Sequence, residues 1–296
     1  MNGTVEKKQL VWIITGTSSG FGRRLVTAAL SRGDRVIATA RSLKKLDAEL
    51  ALCSLSDAEK ANLRTLELDI TAGEDSLKEK VNHTATFWGR IDVLVNNAGY
   101  GQPGLVEEGG TKQAREQFEV NVFGLLAMTT ATLPHIRESK GTLVNIGSRS
   151  SWRNEVPVSF YGASKAAVQA FTETIATEVA GLGVRALLVA PGAFRTEGIY
   201  GSQWSTENNI PAYDSLRDAA TKRFHSICGT EKGDPAKAME LLVDVVRGEG
   251  KAAGRPFPRY LILGEDAHGD AIRRAQQVTS AVEEWKDITG KAVEFD

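Results

Sequence analysis

Seven short apolar runs rich in β-branched residues recur along the chain, at 10–15, 35–40, 64–69, 91–96, 142–146, 185–190 and 260–263. They are too uniformly apolar to alternate, as strands covered on both faces should be. Segments of helical period lie between them. Residues 22–31 place Leu25, Ala28 and Ala29 on one side and stop at Arg32-Gly33. Residues 159–180 keep a stripe of Ala167, Ala170, Phe171, Ile175 and Val179. Asp234-Pro235 sets a capping residue before a proline suited to a first helical turn. Strands alternating with helices predict a parallel sheet with helices on both faces, joined by right-handed crossovers. The predicted fold class is α/β, a doubly wound Rossmann-type sheet of about seven strands with a C-terminal helical extension.

Two stretches fit this rhythm poorly. Residues 193–230 are long and irregular, with Phe194, Tyr200, Trp204, Tyr213 and Phe224 scattered through them, and are expected to form a lid. Residues 265–296 form a charged, helix-like tail carrying Trp285. No repeat, low-complexity tract or Pro/Ser-rich linker divides the chain, so one domain over 1–296 is expected, with its core at about 8–265.

Composition narrows the setting. The 296 residues are 42% hydrophobic and 25% charged, ordinary for a globular protein with a large core. Thirty-six basic residues against 37 acidic ones give no electrostatic reason to expect nucleic acid or an anionic membrane as partner. Cys53 and Cys228 show no disulfide or metal spacing, and the dispersed histidines 83, 135, 225 and 268 suggest no metal. The apolar stretch at 10–14 is too short for a signal-peptide core or a membrane span. A reducing, cytoplasmic location is the expectation.

The first strand runs into Thr15-Gly16-Thr17-Ser18-Ser19-Gly20-Phe21-Gly22, followed by a helix. Glycines here permit a tight turn and let the backbone approach a pyrophosphate, while the helix presents free N–H groups and a positive dipole end. The spacing is G-x-x-x-G-x-G rather than G-x-G-x-x-G, in the same strand-turn-helix context. The second strand ends Ala40-Arg41. No carboxylate is there to accept from a ribose 2′-hydroxyl, and the Arg41 fork suits a 2′-phosphate, which favours NADP(H) over NAD(H). A solvated surface arginine is the plain alternative. Asp69, ending the third strand, either meets the adenine or caps the next turn.

Tyr161 and Lys165 lie four residues apart on one helical face, a phenol beside an ammonium. A nearby cation favours the phenolate and brings tyrosine toward use as a base near neutral pH. Ser148, at the end of a strand, can donate to a substrate oxygen on which charge develops. Alone, Tyr-x-x-x-Lys is found on many surface helices, and Ser148 could be turn chemistry. Asn121 sits in a helical segment where asparagine is unfavourable, so a purely structural reading explains it poorly.

Taken together, these residues resemble the short-chain dehydrogenase/reductase family. The resemblance rests on Thr15 to Gly22, Asn96-Asn97-Ala98-Gly99, Asn121 within Glu119-Val120-Asn121-Val122, Ser148, the Tyr161/Lys165 pair, and Pro191-Gly192 running to Thr196. It implies Tyr161 as general acid/base, Lys165 on the nicotinamide ribose and lowering the tyrosine pKa, and Ser148 orienting a carbonyl. Asn121 would hold a helix distortion and a water in a proton relay. Gly16, Ser18, Ser19, Gly20, Phe21, Gly22, Arg41, Asp69, Asn97, Ala98, Gly99, Pro191, Gly192 and Thr196 would line the cofactor cleft. The tail, with Leu263-Gly264-Glu265-Asp266-Ala267, looks like the subgroup labelled 17β-hydroxysteroid-dehydrogenase-like.

The implied activity is NADP(H)-dependent interconversion of a ketone or aldehyde with an alcohol. Epimerase, dehydratase or cyclase chemistry on the same fold, or a non-catalytic NADP(H)-sensing protein, remain alternatives. Trp152, Phe194, Tyr200 and Trp204 are candidates for an apolar substrate wall, or simply pack the lid to the body. A homodimer or homotetramer through the helices near 118–133 and 159–180 is also implied.

Overall fold

The computed structural model describes residues 8–197, 204 and 207–294. Seven parallel strands form one sheet in the order β3-β2-β1-β4-β5-β6-β7. They are β1 (Val11–Ile14), β2 (Arg35–Ala40), β3 (Leu63–Glu67), β4 (Val93–Asn96), β5 (Thr142–Ile146), β6 (Arg185–Pro191) and β7 (Tyr260–Leu263). Full burial holds for the central strands β1, β4 and β5. It does not hold for the edge strands β3 and β7, each of which has a sheet neighbour on one side only and shows partly exposed residues.

Alternation along β1 divides the core between the two faces. Trp12 and Ile14 pack with Leu25, Val26 and Ala29 of α1 (Gly20–Ser31) and with Leu242 and Val243 of α9 (Pro235–Arg247). Val11 and Ile13 pack with Leu77 and Val81 of α4 (Glu74–Ala85) and with Met128 and Ile136 of α6 (Leu125–Ser139). Ile14 is in register with Ala38 of β2 on one side and Val95 of β4 on the other. The chain therefore leaves β1 toward β2 and β3, then crosses back and builds outward from β4. This reversal opens a crevice at the carboxyl ends of β1 and β4.

A polar ladder is built into the apolar interior beneath that crevice. Asn96 and Asn145 face each other across β4 and β5, with Asn96 Nδ2 donating to Asn145 Oδ1 at 2.9 Å and to Thr129 Oγ1 at 2.9 Å. Asn145 Nδ2 donates in turn to Thr172 Oγ1 of α7 (Ser159–Glu178) at 2.9 Å. A one-residue slip of either strand would leave these amides without partners, so the ladder fixes the register.

The boundaries differ from the sequence expectation in two instructive places. Helix α1 starts at Gly20, inside the glycine-rich loop, because the loop itself forms its first turn. The stretch expected to be irregular contains α8 (Asp214–Ile227) after a short 3₁₀ turn at Pro211–Tyr213. Only Ala220 and Phe224 of α8 are buried, one turn apart, which is too narrow a stripe to register as a helical period. The tail is a 25-residue helix, α10 (Glu265–Thr289), of which Ala267 and Asp270 alone are buried. From Ile272 to Glu294 every residue is exposed, including Val278, Val282 and Trp285. Among the described residues, no helix is long and apolar enough to cross a membrane.

Replacing Asn145 by alanine should destabilise the fold by about 2–3 kcal/mol, since Asn96 and Thr172 both lose a buried partner. The exposed Thr130→Ala should cost less than about 0.5 kcal/mol. Urea denaturation of both variants checks this. Equal midpoints would show that the ladder contributes nothing.

Candidate active site

The loops after β1 and β4 are tied together where the crevice opens. Thr15 Oγ1 accepts from Asn97 N at 3.0 Å and Ala98 N at 2.9 Å. Asn97 Nδ2 donates back to Thr15 O at 2.8 Å and Gly16 O at 3.0 Å. Gly16 has φ +69°, and a Cβ there would lie 2.8 Å from Ala98 Cα. A Cβ on Gly22 would lie 2.4 Å from Gly16 O. Only glycine allows strand, loop and helix to approach this closely.

Helix α1 has no side-chain cap, as Ser19 makes none. Its anion comes instead from a distant residue. Gly20 N donates to Glu197 Oε2 at 2.8 Å, and Arg23 and Arg24 reach the same carboxylate at 2.9–3.1 Å. The Arg24 hydrogen bond is the chief reason that the Glu197 carboxyl is pulled down to about 2. The glycine loop thus already holds an anion on its free amide and positive helix end, so these residues fit a pyrophosphate. Along the same cleft lie Arg41, exposed at the end of β2, and Lys45 from the first turn of α2 (Leu43–Ala51). Asp69 closes the turn after β3. Its Oδ1 accepts from Thr71 N at 2.9 Å and Thr71 Oγ1 at 2.8 Å, which lowers its pKa, and the residue borders the cleft.

Three segments converge at the other end of the cleft. Ser148 follows β5, 6% exposed, and its Oγ accepts from Ser150 N at 3.1 Å, leaving its own proton to be donated. Tyr161 and Lys165 lie one turn apart at the start of α7. Lys165 Nζ donates to Ile146 O at 2.7 Å and sits 5.8 Å from the Tyr161 ring centroid. Burial without an offsetting carboxylate pulls this ammonium down to about 8.

Asn121 occupies a π-helical turn, Glu119–Gly124, between α5 (Val106–Phe118) and α6. Its Oδ1 accepts from Tyr100 N at 3.0 Å, while its Nδ2 donates to Tyr100 O at 2.9 Å and Ser164 Oγ at 3.1 Å. The helix distortion is where the sequence reading put it, as π turns commonly mark functional sites. A Cβ on Gly99 would lie 3.1 Å from Asn121 Oδ1 and 3.6 Å from Lys165 Nζ. The Asn97–Gly99 loop, the π turn and the lysine therefore meet at one point.

The cleft spans about 540 Å³ from Arg41 to Phe224 and includes Ser18, Phe21, Pro191, Gly192 and Thr196. Phe194 borders it but is 8% exposed and stacks edge-on to Phe21 at 5.3 Å, so it also packs the loop after β6 onto α1. Trp152 and Trp204 are half-buried and do not border the cleft, and Tyr200 lies outside the described residues. Lys45, Arg149, Glu155 and Glu197 border the cleft and were not anticipated. Glu197 gives no local signal, being 177 residues from the amide it meets.

The lysine makes the stability of the protein depend on pH. Its folded pKa of about 8 lies below the ordinary 10.5, so the unfolded chain binds more protons between those values. Stability from this group therefore rises across that window. Urea midpoints of the wild type relative to Lys165→Met should shift in favour of the wild type between about pH 8 and 10. Parallel pH profiles would show that no buried cation is held there.

Comparison with known proteins agrees with this geometry. The family model described as short chain dehydrogenase matches residues 10–203. The chain is 30% identical over 280 residues to oxidoreductase BOA17 of Botryotinia fuckeliana, covering 94% of this chain and 97% of that one. It is 33% identical over 217 residues to 11-beta-hydroxysteroid dehydrogenase 1A of Arabidopsis thaliana, covering 72% of this chain and 60% of that one. The crystal structure of a short-chain dehydrogenase from Streptomyces avermitilis superposes with a TM-score of 0.83 at 34% identity, over 97% of this chain and 100% of that one. The chain belongs to the short-chain dehydrogenase family of oxidoreductases.

Proposed function

We propose that the protein is an NADP(H)-dependent oxidoreductase interconverting a ketone or aldehyde with the corresponding alcohol. The observation that carries this reading is the convergence of Ser148, Tyr161 and Lys165 at the rim of the glycine-loop cleft. The nicotinamide cofactor, when bound, supplies or accepts the hydride. Gly16 to Gly22 would hold its pyrophosphate, Asn97 to Gly99 and Pro191 to Thr196 its nicotinamide end, and Arg41 with Lys45 a 2′-phosphate.

The side chains divide the remaining work. Ser148 donates to the substrate oxygen and holds the carbonyl in line. Tyr161 gives its phenolic proton to that oxygen in reduction and takes it back in oxidation. The Lys165 ammonium, beside the ring, favours the phenolate left behind. Asn121 keeps the π turn and the Tyr100 backbone in place behind the lysine. Tyr100, Val158, Phe194 and Phe224 give the cleft a carbon-rich wall, which supports an apolar, alicyclic or aromatic carbonyl substrate. Exposed Phe123 and Phe171, near the start of α6 and on α7, support a homo-oligomer through those faces.

With a panel of ketones, quinones and ketosteroids, the wild type should oxidise NADPH faster than NADH. Tyr161→Phe should lower turnover by about 10²–10⁴-fold while still binding NADPH. Arg41→Ala should lower kcat/KM for NADPH by about 10–100-fold and leave that for NADH nearly unchanged. Equal turnover by wild type and Tyr161→Phe would remove the tyrosine from the mechanism. An unchanged ratio between the cofactors in Arg41→Ala would remove the arginine from cofactor selection.

Glu197→Gln should tighten NADPH binding, since the cofactor pyrophosphate then displaces no charged carboxylate from the Gly20 amide. Titration of NADPH fluorescence reads this directly, and unchanged or weaker binding would count against it.

A further inference from the structure

The first two turns of α10 lie against the loops that carry Ser148 and Gly192. Asp266 Oδ2 accepts from Ala193 N at 2.8 Å, which places this carboxylate directly on the loop after β6. The seat is cut to fit. A Cβ on Gly192 would lie 2.0 Å from Asp266 Oδ1, and one on Gly264 would lie 2.7 Å from the same atom. Gly264 also has φ +98°, which turns β7 into α10 at the required angle.

The same helix end holds the loop after β5. Arg149, next to Ser148 and with its side chain 8% exposed, donates from Nη1 to Asp270 Oδ2 at 3.1 Å and lies 3.3 Å from Asp266 Oδ2. Its Nη2 lies 3.9 Å from Glu155 Oε2. Arg153, Arg223 and Arg273 approach these carboxylates at 3.2–3.9 Å from the far side, so the cluster holds three acids and four bases. Asp270 and Glu155 are at least as buried as Arg149, with side chains 5% and 8% exposed. Buried charges with several fixed partners lock geometry more firmly than exposed pairs do.

We propose that Asp266, Asp270 and Arg149 are positioning residues that couple the C-terminal helix to the active site. One end of the staple sets the Pro191–Ala193 backbone at the nicotinamide end, and the other sets the turn that aims the Ser148 hydroxyl. This gives Leu263-Gly264-Glu265-Asp266-Ala267 a physical task. The glycine makes room, Asp266 bridges the two loops, and Ala267, fully buried, seats the helix. The proposal rests on the oxidoreductase reading above for its kinetic consequence, and on contacts alone for its structural one.

The test compares full-length Asp266→Ala, Asp270→Asn and Arg149→Lys with wild type, with Tyr161→Phe and with Val282→Ser on the exposed half of α10. Amide hydrogen exchange of the cofactor-free proteins is read first. Peptides covering 147–152 and 192–196 should exchange at least tenfold faster in the three staple variants, while those of β1 and β2 stay protected. With NADPH and an accepted ketone, kcat should fall about 10–100-fold with KM for NADPH changed less than threefold, because misaimed loops cost more in the transition state than in binding. Val282→Ser should match wild type in both readouts.

Arg149→Lys keeps the charge and loses only the fork, so it reports on geometry even if Asp270→Asn folds poorly. Unchanged exchange in both loop peptides, or kcat within twofold of wild type in Asp266→Ala and Arg149→Lys, overturns the proposal. If wild type oxidises NADPH with no member of the carbonyl panel, the carbonyl–alcohol reading falls, and the kinetic half of the proposal falls with it. Exchange then decides the structural half alone.

Discussion

Everything the site does depends on how β1 lies in the sheet, parallel to and between β2 and β4. In a parallel sheet all strands end on the same rim, so each connecting loop leaves from one edge of the molecule. The chain departs from β1 in one direction and resumes at β4 in the other, so no crossover covers the ground between them. The Thr15–Asn97 bonds hold the two lips of that opening at a fixed distance. Cofactor loop, serine, tyrosine and lysine all stand on this rim, and a different strand order would scatter them.

Two buried cations on the rim are treated in opposite ways. Lys165 meets a backbone carbonyl and lies over a tyrosine ring, and its charge is left expensive. Such a group favours loss of the proton from its neighbour, the Tyr161 phenol. Arg149 lies among three carboxylates, where its charge is satisfied and its position fixed. One cation is kept reactive and the other is made rigid, although both lie within the same cleft wall.

Much of this was legible in the sequence, for a physical reason. Central strands covered on both sides must be continuously apolar, and the glycine loop and the Tyr161/Lys165 spacing are local features. The π turn at Asn121 was anticipated only through the family resemblance, since poor helix propensity marks the residue as unusual without fixing the distortion. What stayed hidden depends on contacts between distant segments. Glu197 on the Gly20 amide, and Asp270 on Arg149 at a separation of 121 residues, leave no periodic trace. Helix α8 was missed because only two of its residues face inward, and Trp152 and Trp204 looked like cleft residues only by virtue of being aromatic.

The same long-range ties bear on how the chain acquires its structure. Thr15 N donates to Val95 O, 80 residues further on, so the glycine loop gains its backing only once β4 exists. Residues up to about 90 can form α1 and the pairings of β2 with β1 and β3, yet they present one bare, apolar edge of β1 until β4 docks. Parallel pairings over such separations form slowly, because loop closure comes before any contact rewards it. The nascent chain is therefore most exposed to misassociation through β1 in this interval, and the rim that later binds a nucleotide is among the last parts of the molecule to take shape.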